Sequence, residues 1–384
     1  MKSTSVKLAD FKDSIFGVIS RLAREHQAVN LGQGFPDFDG PDFMKDLVTK
    51  KMKEGHNQYA PFHGTPSLRT EVSNYYKSFY QLDYDPETQV SITVGATEAI
   101  YLVITALTNP GDEIVVLEPF YDSYVASIKM SGGVPVPVTM HAPDFHVDKA
   151  ELEKAITPRT KMIILNNPHN PSGKVWTREE LQMVCDIAEK NDLYILSDEV
   201  YEFLVFDEAR HIPTATFAGM KERTITVSSA GKTFGLTGWK IGWICANPEI
   251  SRVCRLVHQY VTFAVSTPMQ EAVAEGLKKL PEYLPGFVSL YKGKRDFFYA
   301  EMKKLGFEFA SPKGTYFMMV PISKKTNLND VDYAMKLIKE RKVATVPPSA
   351  FYLKSTEGAK FLRFCFAKKE ETLTQAIANL SPEA

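Results

Sequence analysis

The pattern of apolar and polar residues changes along the chain, and from about residue 90 onward short apolar runs alternate with segments of helical spacing. Helical spacing is clearest over 96–107, where apolar residues recur at Ile100, Val103, Ile104 and Leu107. The other predicted elements are strands at Val90–Val94, 114–117, 162–165, 194–196 and 225–227 and a helix at Arg178–Lys190. Because strands that alternate with helices are typical of βαβ units, we predict an α/β fold with a mostly parallel sheet between helices.

The last hundred residues show a different pattern. A long helix over much of 284–305 is followed by strands at 316–320 and 361–366 and by helices near 331–341 and 370–379. Such runs are typical of a smaller α+β domain. We therefore expect a large domain over residues 31–283 and a C-terminal small domain over 284–384, with residues 1–30 as an N-terminal arm that belongs to the small domain. No repeat or long linker separates the parts, so we expect them to pack closely.

Composition then narrows the class of protein. The 384 residues are 44% apolar and 24% charged, as in an ordinary globular protein, and the formal net charge of -1 gives no broad field for nucleic acid or an anionic membrane. The four cysteines form no CxxC pair, so we expect neither a disulfide framework nor a metal site. The N-terminal segment lacks the apolar core of a signal peptide, and the chain has no apolar run long enough for a membrane span. We expect a cytoplasmic protein.

Polar residues follow several of the predicted strands, at the carboxyl edge of the sheet where ligands gather in this class of fold. Gly95, Ala96 and Thr97 come after the first strand and open a helix, whose free backbone N–H groups could bind an anion. A simple strand-to-helix turn explains these three residues equally well. Asp198 follows another strand, and a buried acid needs a partner such as a protonated pyridine nitrogen. The alternative is that Asp198 caps a helix.

Lys232 lies in the segment 228–233, which follows the strand at 225–227. The segment resembles the end of a phosphate-binding P-loop, but that motif requires glycine where Thr226 stands. A lysine at the carboxyl end of a strand, among small residues, suits a Schiff base instead. Burial at that position would lower the pKa of the lysine and make it a usable base.

Two further candidates are Asn170 and Arg363. Asn170 lies in the Pro- and Gly-containing loop 166–173 and could offer its amide to a ring oxygen, although turn formation explains most of this loop. In the same loop, His169 is interpreted as structural. Arg363 stands within an apolar strand, where a guanidinium needs an anion, and its geometry suits a carboxylate. An internal salt bridge is the alternative.

Seven segments of the chain carry a joint signal: NQYAPFHG, GATEA, EPFYDSY, NNPHNPSGKVW, SDEVYE, SSAGKTFGLTGWKIGW and LRFCFAKKE. In order and spacing they resemble the class I/II aminotransferases of pyridoxal-5′-phosphate (PLP) fold type I, over nearly the whole chain from Asn30 to Lys369. The branch that they are most similar to is that of methionine aminotransferase and kynurenine aminotransferase (glutamine transaminase K). The resemblance implies a large PLP-binding domain, a small domain and transfer of an amino group to a 2-oxo acid by a ping-pong mechanism.

The resemblance also implies which residues hold the cofactor. Lys232 would carry PLP as an imine, and Asp198 would hold the pyridine nitrogen protonated. The other implied contacts are Tyr201 and Asn170 at the ring oxygen, Phe120 on the ring face, Ala96, Thr97, Ser229 and Lys240 at the phosphate, and Tyr59 at the phosphate of the neighbouring subunit. The last contact implies a homodimer. The implied catalytic residues are Lys232, Asp198 and Tyr201.

Substrate recognition follows from the same resemblance. The implied contacts of the substrate α-carboxylate are Arg363, Gly34 and Asn170, with Phe16 and Phe263 near the substrate side chain. Two positions depart from the kynurenine-type pattern: Phe16 stands where a tryptophan is usual, and Ala264 where a histidine is frequent. No second arginine is a candidate for a distal carboxylate. An apolar pocket near Phe16 and Tyr59 therefore favours methionine or aromatic amino acids over aspartate.

Three other functions are alternatives for a chain with these features. A cysteine-S-conjugate or cystathionine β-lyase would use the same fold and lysine, and the sequence separates it poorly from an aminotransferase. A PLP-binding regulatory protein would carry a DNA-binding domain, for which the segment before Leu31 is too short and the charge not basic. A nicotinamide dehydrogenase is rejected because the motif from Gly32 to Gly34 lacks a third glycine and precedes no helix.

Overall fold

The computed structural model describes residues 5–9, 11 and 13–381 of the chain, and its elements follow the predicted order. The strands are β1 (Val29–Asn30), β2 (Val90–Val94), β3 (Glu113–Glu118), β4 (Val134–His141), β5 (His146–Val147), β6 (Thr160–Asn166), β7 (Tyr194–Asp198), β8 (Thr224–Ser229), β9 (Ile241–Cys245), β10 (Phe317–Pro321), β11 (Val343–Ala344) and β12 (Phe361–Cys365). The helices are α1 (Ile15–Glu25), α2 (Asp42–Lys53), α3 (Pro66–Tyr80), α4 (Gly95–Leu107), α5 (Ser123–Met130), α6 (Lys149–Lys154), α7 (Arg178–Lys190), α8 (Ala230–Thr233), α9 (Pro248–Val261), α10 (Thr267–Leu277), α11 (Leu280–Lys304), α12 (Asp330–Glu340) and α13 (Glu370–Leu380).

The large sheet has the strand order β2-β9-β8-β7-β6-β3-β4-β5. From β8 to β4 every neighbouring pair is parallel, whereas β9 runs antiparallel to both β2 and β8. Helices cover both faces: along β3, Ile114 and Val116 pack on one face with residues of α4, while Val115 and Leu117 pack on the other with residues of α7. The predicted α/β fold class, with a sheet between helices, is confirmed.

The helix α7 shows how local sequence fixes an element. It begins after Thr177, whose hydroxyl accepts a hydrogen bond from the backbone N–H of Glu180, while the Glu180 carboxylate accepts one from the N–H of Thr177. This reciprocal capping satisfies two N–H groups that the helix itself leaves unpaired. Leu181, Val184 and Ala188 then recur at helical spacing and are buried against the sheet. The predicted and observed bounds of α7 therefore coincide.

The C-terminal elements pack with the N-terminal arm. In the small sheet β10 and β12 are antiparallel, and Met319 lies opposite Arg363. The strand β1 pairs in parallel with β11, and Ile19 of α1 packs against Ile338 of α12. These are the contacts expected of an arm that belongs to a small domain. The domain limits stay a prediction, since α11 continues without a break across residue 283.

Five of the described strands were not indicated by the sequence pattern: β1, β4, β5, β9 and β11. The strand β4 contains Pro135 and Pro137, and proline argues against a strand because it cannot donate to the ladder. The strand β9 contains Gly242, and glycine interrupts the apolar run by which a strand is recognised. Within the described ranges, no helix combines the length and apolar character that crossing a membrane requires.

One carboxyl group in the core, that of Glu202, is buried without full hydrogen bonding. Its Oε1 accepts hydrogen bonds from the hydroxyls of Ser228, at 2.6 Å, and Tyr75, at 3.2 Å. Its Oε2 has no partner among the described residues. Burial raises the pKa of Glu202 from 4.5 to about 7. The charged form of this side chain is therefore unfavourable in the folded state.

Replacing Glu202 by glutamine should stabilise the fold at pH 8 and not at pH 5. Because the pKa is raised in the folded state, wild type loses stability as the pH rises from the ordinary value of 4.5 through about 7. The loss amounts to about 3 kcal/mol at most, from 1.36 kcal/mol per pKa unit, and the neutral amide escapes it. Melting temperatures at the two pH values test this, with the exposed Glu282→Gln as control. An equal change at both pH values would contradict the prediction.

Candidate active site

A cavity of about 320 Å³ lies where the large sheet meets β10 and β12. Asn166, Asp198 and Ser229, each the last residue of its strand, line one side, and Phe317 and Arg363 line the other. The cavity brings together eleven of the residues proposed from the sequence: Phe16, Gly34, Ala96, Thr97, Asn170, Asp198, Tyr201, Ser229, Lys232, Lys240 and Arg363. The structure thus places these residues together, and their individual roles stay predictions.

Asp198 is held rigidly at the end of β7. Its Oδ2 accepts a hydrogen bond from the hydroxyl of Tyr124 at 2.6 Å, and its Oδ1 accepts one from the backbone N–H of Val200 at 3.3 Å. The side-chain amide of Asn166 on β6 donates to the Asp198 carbonyl at 2.8 Å. Burial raises the pKa of Asp198 from 3.8 to about 6. A cationic partner in the cavity would favour the ionised carboxylate and reverse that shift.

Lys232 extends from α8, the short helix that follows β8, into the same cavity. Its Nζ donates a hydrogen bond to the hydroxyl of Tyr316 at 2.7 Å and lies 3.4 Å from the carbonyl oxygen of Gly34. Burial lowers the pKa of Lys232 from 10.5 to about 8. A substantial fraction of this amine is therefore neutral near physiological pH, as a nucleophile or a base requires.

The amino end of α4 has a geometry that could hold an anion. Gly242 on β9 packs so closely that a Cβ there would lie 2.6 Å from the Gly95 carbonyl carbon and 2.8 Å from the Ala96 nitrogen. Only glycine at 242 lets the start of α4 sit on the sheet at this distance. The side chain of Lys240 lies against Gly95 and adds a positive charge. Free N–H groups at the start of a thirteen-residue helix, next to an ammonium group, suit a phosphate.

Arg363 is 1% exposed and lies on β12. Its guanidinium donates to Oδ1 of Asn170 at 3.1 Å and to the carbonyl of Gly32 at 2.9 Å, and its Nε has no partner among the described residues. Three aromatic rings surround it: the guanidinium carbon lies 4.2 Å from the ring centre of Phe317, 5.0 Å from that of Phe16 and 5.3 Å from that of Phe351.

The internal salt bridge considered for Arg363 is wrong. In the part of the chain that the structure describes, no acidic side chain lies within ion-pair distance of Arg363. A buried cation without a counter-ion is costly. The arrangement is therefore one that an incoming carboxylate would complete.

The role given to Phe120 is wrong by one residue. Phe120 is buried in the core against α4 and does not line the cavity, whereas Tyr121 does. The backbone N–H of Phe120 donates to the carbonyl of Phe351 at 3.0 Å, and this contact fixes the turn after β3. Because successive side chains at the end of a strand point to opposite sides, only one of the two can face the cavity. The side chain available for a ring face is that of Tyr121.

Tyr59 and Phe263 lie outside the residues that line the cavity. Tyr59 is 84% exposed and Phe263 49% exposed, and their rings meet edge to face with centres 5.2 Å apart. Within the described chain, neither Tyr59 nor Phe263 is therefore part of the cavity. Of the apolar pocket expected near Phe16 and Tyr59, the structure places Phe16 at the cavity, with Phe317 beside Arg363, but not Tyr59.

The sequence reasoning missed Asn166, which lines the cavity, and two tyrosines that contact lining residues, Tyr124 and Tyr316. Asn166 ends β6 in the same way as Asp198 ends β7, so the rule on strand ends could have identified it. Tyr124 and Tyr316 carry no such signal, because each is defined by a partner far along the chain. Tyr124 contacts Asp198, and Tyr316 contacts Lys232.

Known proteins with this architecture point to one family. The family model for aminotransferase class I and II matches residues 26–380. The chain is 39% identical over 374 residues to methionine aminotransferase of Escherichia coli, covering 97% of each sequence. It is 38% identical over 414 residues to kynurenine–oxoglutarate transaminase of Dictyostelium discoideum, covering 98% of this chain and 95% of that one. The solved structure of N-succinyldiaminopimelate aminotransferase from Mycobacterium tuberculosis superimposes with a TM-score of 0.96 and 39% identity, covering 98% of this chain and 99% of that one.

A match to the family model over most of the chain defines the class: the chain belongs to the class I and II aminotransferases. The resemblance stated from the sequence motifs is thereby confirmed, together with fold type I and an aminotransferase activity. The names of these relatives refer to different amino-group donors, so membership of the family does not identify the substrate of this chain.

Proposed function

We propose that this aminotransferase uses PLP and moves the amino group of an apolar, sulfur-containing or aromatic L-amino acid, with methionine as the preferred donor, to a 2-oxo acid in a ping-pong cycle. PLP, when bound, supplies an electron-accepting ring that stabilises negative charge at the substrate α-carbon. The observation that carries the proposal is the cavity itself, which joins the buried amine of Lys232, the acid Asp198 and the unpaired guanidinium of Arg363.

The donor set fits PLP at each of its functional groups. The amine of Lys232 suits the aldehyde, the carboxylate of Asp198 suits a protonated ring nitrogen, and the face of Tyr121 suits the ring. The phosphate would take the amino end of α4 with Ala96 and Thr97, together with Ser229 and Lys240. Tyr201 and Asn170 would bind the ring oxygen; since Oδ1 of Asn170 accepts from Arg363, its amide N–H group is the part left to donate.

The residues of the chain divide the chemical work in this proposal. Asp198, once ionised beside a cation, keeps positive charge on the ring nitrogen and so strengthens electron withdrawal. Arg363 binds the substrate α-carboxylate with Gly34 and Asn170 nearby and thereby fixes the orientation of the α-carbon. Lys232, when its amine is free and neutral, would take the proton of the substrate α-carbon at its Nζ.

The surroundings of Arg363 support an apolar donor. Once the α-carboxylate lies on Arg363, the rings of Phe16 and Phe317 border the same space, and the buried ring of Phe351 packs near the guanidinium. Among the described residues that line the cavity, the cationic side chains are Arg363, Lys232 and Lys240, each with a role already proposed. A distal carboxylate would thus lie against aromatic rings without a partner, whereas a thioether contacts such rings favourably.

Specificity can be tested with donors that differ in their distal group. We expect kcat/KM for methionine and phenylalanine to exceed that for aspartate and for N-succinyl-diaminopimelate by about 30-fold or more, since an unpaired buried charge costs about 2–5 kcal/mol. Kynurenine is included as the aromatic donor of the related enzymes. Arg363→Gln is the control, and it should weaken all donors alike because all share the α-carboxylate. Aspartate as the best donor would contradict the proposal.

The visible absorbance of the bound cofactor, followed together with the products, separates transamination from β-elimination. Adding methionine should bleach the visible absorbance of the bound cofactor, and a 2-oxo acid should restore it. Release of pyruvate and ammonia from cystathionine without an oxo-acid acceptor, with the absorbance unchanged, would instead assign the protein as a lyase.

A homodimer with the active site at the subunit interface is part of the proposal. It is supported by an exposed apolar surface around Tyr59 that includes Tyr260, 83% exposed, and Val261, 55% exposed, together with Phe263. Large exposed apolar patches mark interaction surfaces. In a dimer Tyr59 would reach the phosphate of the neighbouring subunit and Phe263 its substrate. We also propose a cytoplasmic location, which four buried, unpaired cysteines suit.

A further inference from the structure

Tyr316 is the residue immediately before β10, and its ring is almost fully buried. Its hydroxyl contacts two groups of the active site: the carbonyl oxygen of Gly34 at 2.7 Å and Nζ of Lys232 at 2.7 Å. Gly34 belongs to the segment near the substrate carboxylate, and Lys232 is the lysine of the site. The hydroxyl of Tyr316 thus links the segment of Gly34 to that of Lys232, and it contacts Lys232 at Nζ, the reactive atom of that side chain.

The direction of these hydrogen bonds follows from the groups involved. A phenol carries one proton, and a carbonyl oxygen can only accept. The Tyr316 proton therefore lies on the bond to Gly34, and the lone pairs of the Tyr316 oxygen accept an N–H from Lys232. The carbonyl of Gly34, 3.4 Å from Nζ, is a second acceptor on the same side. In a neutral amine held by its N–H groups on that side, the nitrogen lone pair points away from Tyr316.

Packing keeps the phenol of Tyr316 in place. The ring of Tyr291 is stacked on it at 6.0 Å, and the ring of Tyr201 meets it edge to face at 5.2 Å. The Nζ of Lys232 lies 5.5 Å from the ring centre of Tyr201 and 5.3 Å from that of Tyr316. The other titratable or charged groups that act on Lys232 are Cys365, Asp198, Lys240 and Arg363.

We propose that Tyr316 is a positioning residue, which holds the free amine of Lys232 with its lone pair directed into the cavity, where it can take the proton of the substrate α-carbon. This proposal rests on the proposed function, because it assigns a role in the proton transfer of that reaction. The phenol itself gives up no proton: it accepts from the amine and donates to Gly34 throughout. Its contribution is to orient the base.

The contact can be tested without the cofactor. In PLP-free protein, the rate at which trinitrobenzenesulfonate modifies Lys232, followed by peptide mass spectrometry, gives the pKa of this amine. Tyr316→Phe should lower that pKa by about half a unit to one unit, since the phenol oxygen stabilises the ammonium form by roughly 1 kcal/mol. Tyr291→Phe, which removes a phenol oxygen from the neighbouring ring, should leave it unchanged. An unchanged pKa in Tyr316→Phe overturns the contact.

The role in catalysis has its own readout. In the PLP-loaded enzyme, Tyr316→Phe should lower kcat for methionine by about 10- to 100-fold, the range of a proton-transfer contribution, and leave KM within about twofold. The isotope effect of α-deuterated methionine on kcat should rise, because the proton step becomes slower. A kcat and isotope effect equal to those of wild type and of Tyr291→Phe would overturn the proposal.

The two measurements distinguish a failure of the inference about Tyr316 from a failure of the proposed function. If wild type binds no PLP or transfers no amino group, the proposed function fails, whereas the titration of Lys232 still reports on Tyr316. If wild type transaminates and the pKa of Lys232 does not move in Tyr316→Phe, only the inference about Tyr316 fails. Melting temperatures of both tyrosine variants show whether each has kept the fold.

Discussion

Replacing Lys232 by alanine should lower kcat/KM for the best amino donor by about 10⁴-fold or more. If Lys232 has its proposed roles, the variant loses both the covalent attachment of the cofactor and the base for proton transfer, and the second loss alone accounts for about 10²- to 10⁴-fold. Lys240 is the other lysine among the described residues that line the cavity, and it lies against Gly95 at the start of α4 rather than in an equivalent position. Steady-state kinetics with purified protein and added PLP measure the effect.

The covalent role is checked separately from the rate. After treatment with borohydride, wild type should carry the cofactor irreversibly on the peptide that contains Lys232, and Lys232→Ala should carry none. Lys221, whose Nζ contacts the carbonyl of Asp83 away from the cavity, provides the control, and Lys221→Ala should behave as wild type in both assays. Retention of activity within about tenfold in Lys232→Ala would refute the assignment of this lysine.

Replacing Asp198 by asparagine should lower kcat/KM by roughly 10²- to 10³-fold, the range expected when one member of a buried charge pair is neutralised at a cost of about 2–5 kcal/mol. The amide keeps the shape of the side chain and can still accept the hydrogen bond from Tyr124. What it cannot do is stabilise positive charge on a ring nitrogen. The loss should therefore appear mainly in kcat, with the dissociation constant of the cofactor as a second measurement.

A pH measurement adds an internal check on Asp198. In cofactor-free protein, burial raises the pKa of this carboxyl to about 6. Wild type should then lose stability as the pH rises through 6, whereas Asp198→Asn should not share this loss. Asp144→Asn, which alters an exposed carboxylate next to His146, serves as the control. Full activity of Asp198→Asn would refute the assignment.

Much of the site was predictable because the fold brings strand ends together. Asp198 and Lys232 were identified from their positions after apolar runs, and both line the cavity. The choice between Phe120 and Tyr121 was not predictable in the same way, since the alternation of side chains ends where the strand turns. Whether a residue just beyond a strand faces the core or the cavity depends on the partner of its backbone, which here is Phe351.

Other features depend on contacts that no local pattern contains. Tyr316 begins a predicted strand, and nothing in its neighbourhood indicates that its hydroxyl meets Lys232, 84 residues away. The strand β4 was missed because its prolines argue against a strand, yet it is paired on both sides, in parallel with β3 and antiparallel to β5. The helix α7, by contrast, contains its own start signal at Thr177 and Glu180, so its bounds could be predicted from the sequence.

The pairing of β1 with β11 has a consequence for how the protein is made. Val29 pairs with Val343, so the arm leaves the ribosome roughly three hundred residues before its partner, and domains generally fold as units in the order of synthesis. The large sheet can form before β1 pairs with β11, because all strands of the large sheet lie between these two in the sequence. Phe16, Phe317 and Arg363 join the cavity only when synthesis is almost complete. The nascent chain therefore acquires its lysine early and its substrate site last.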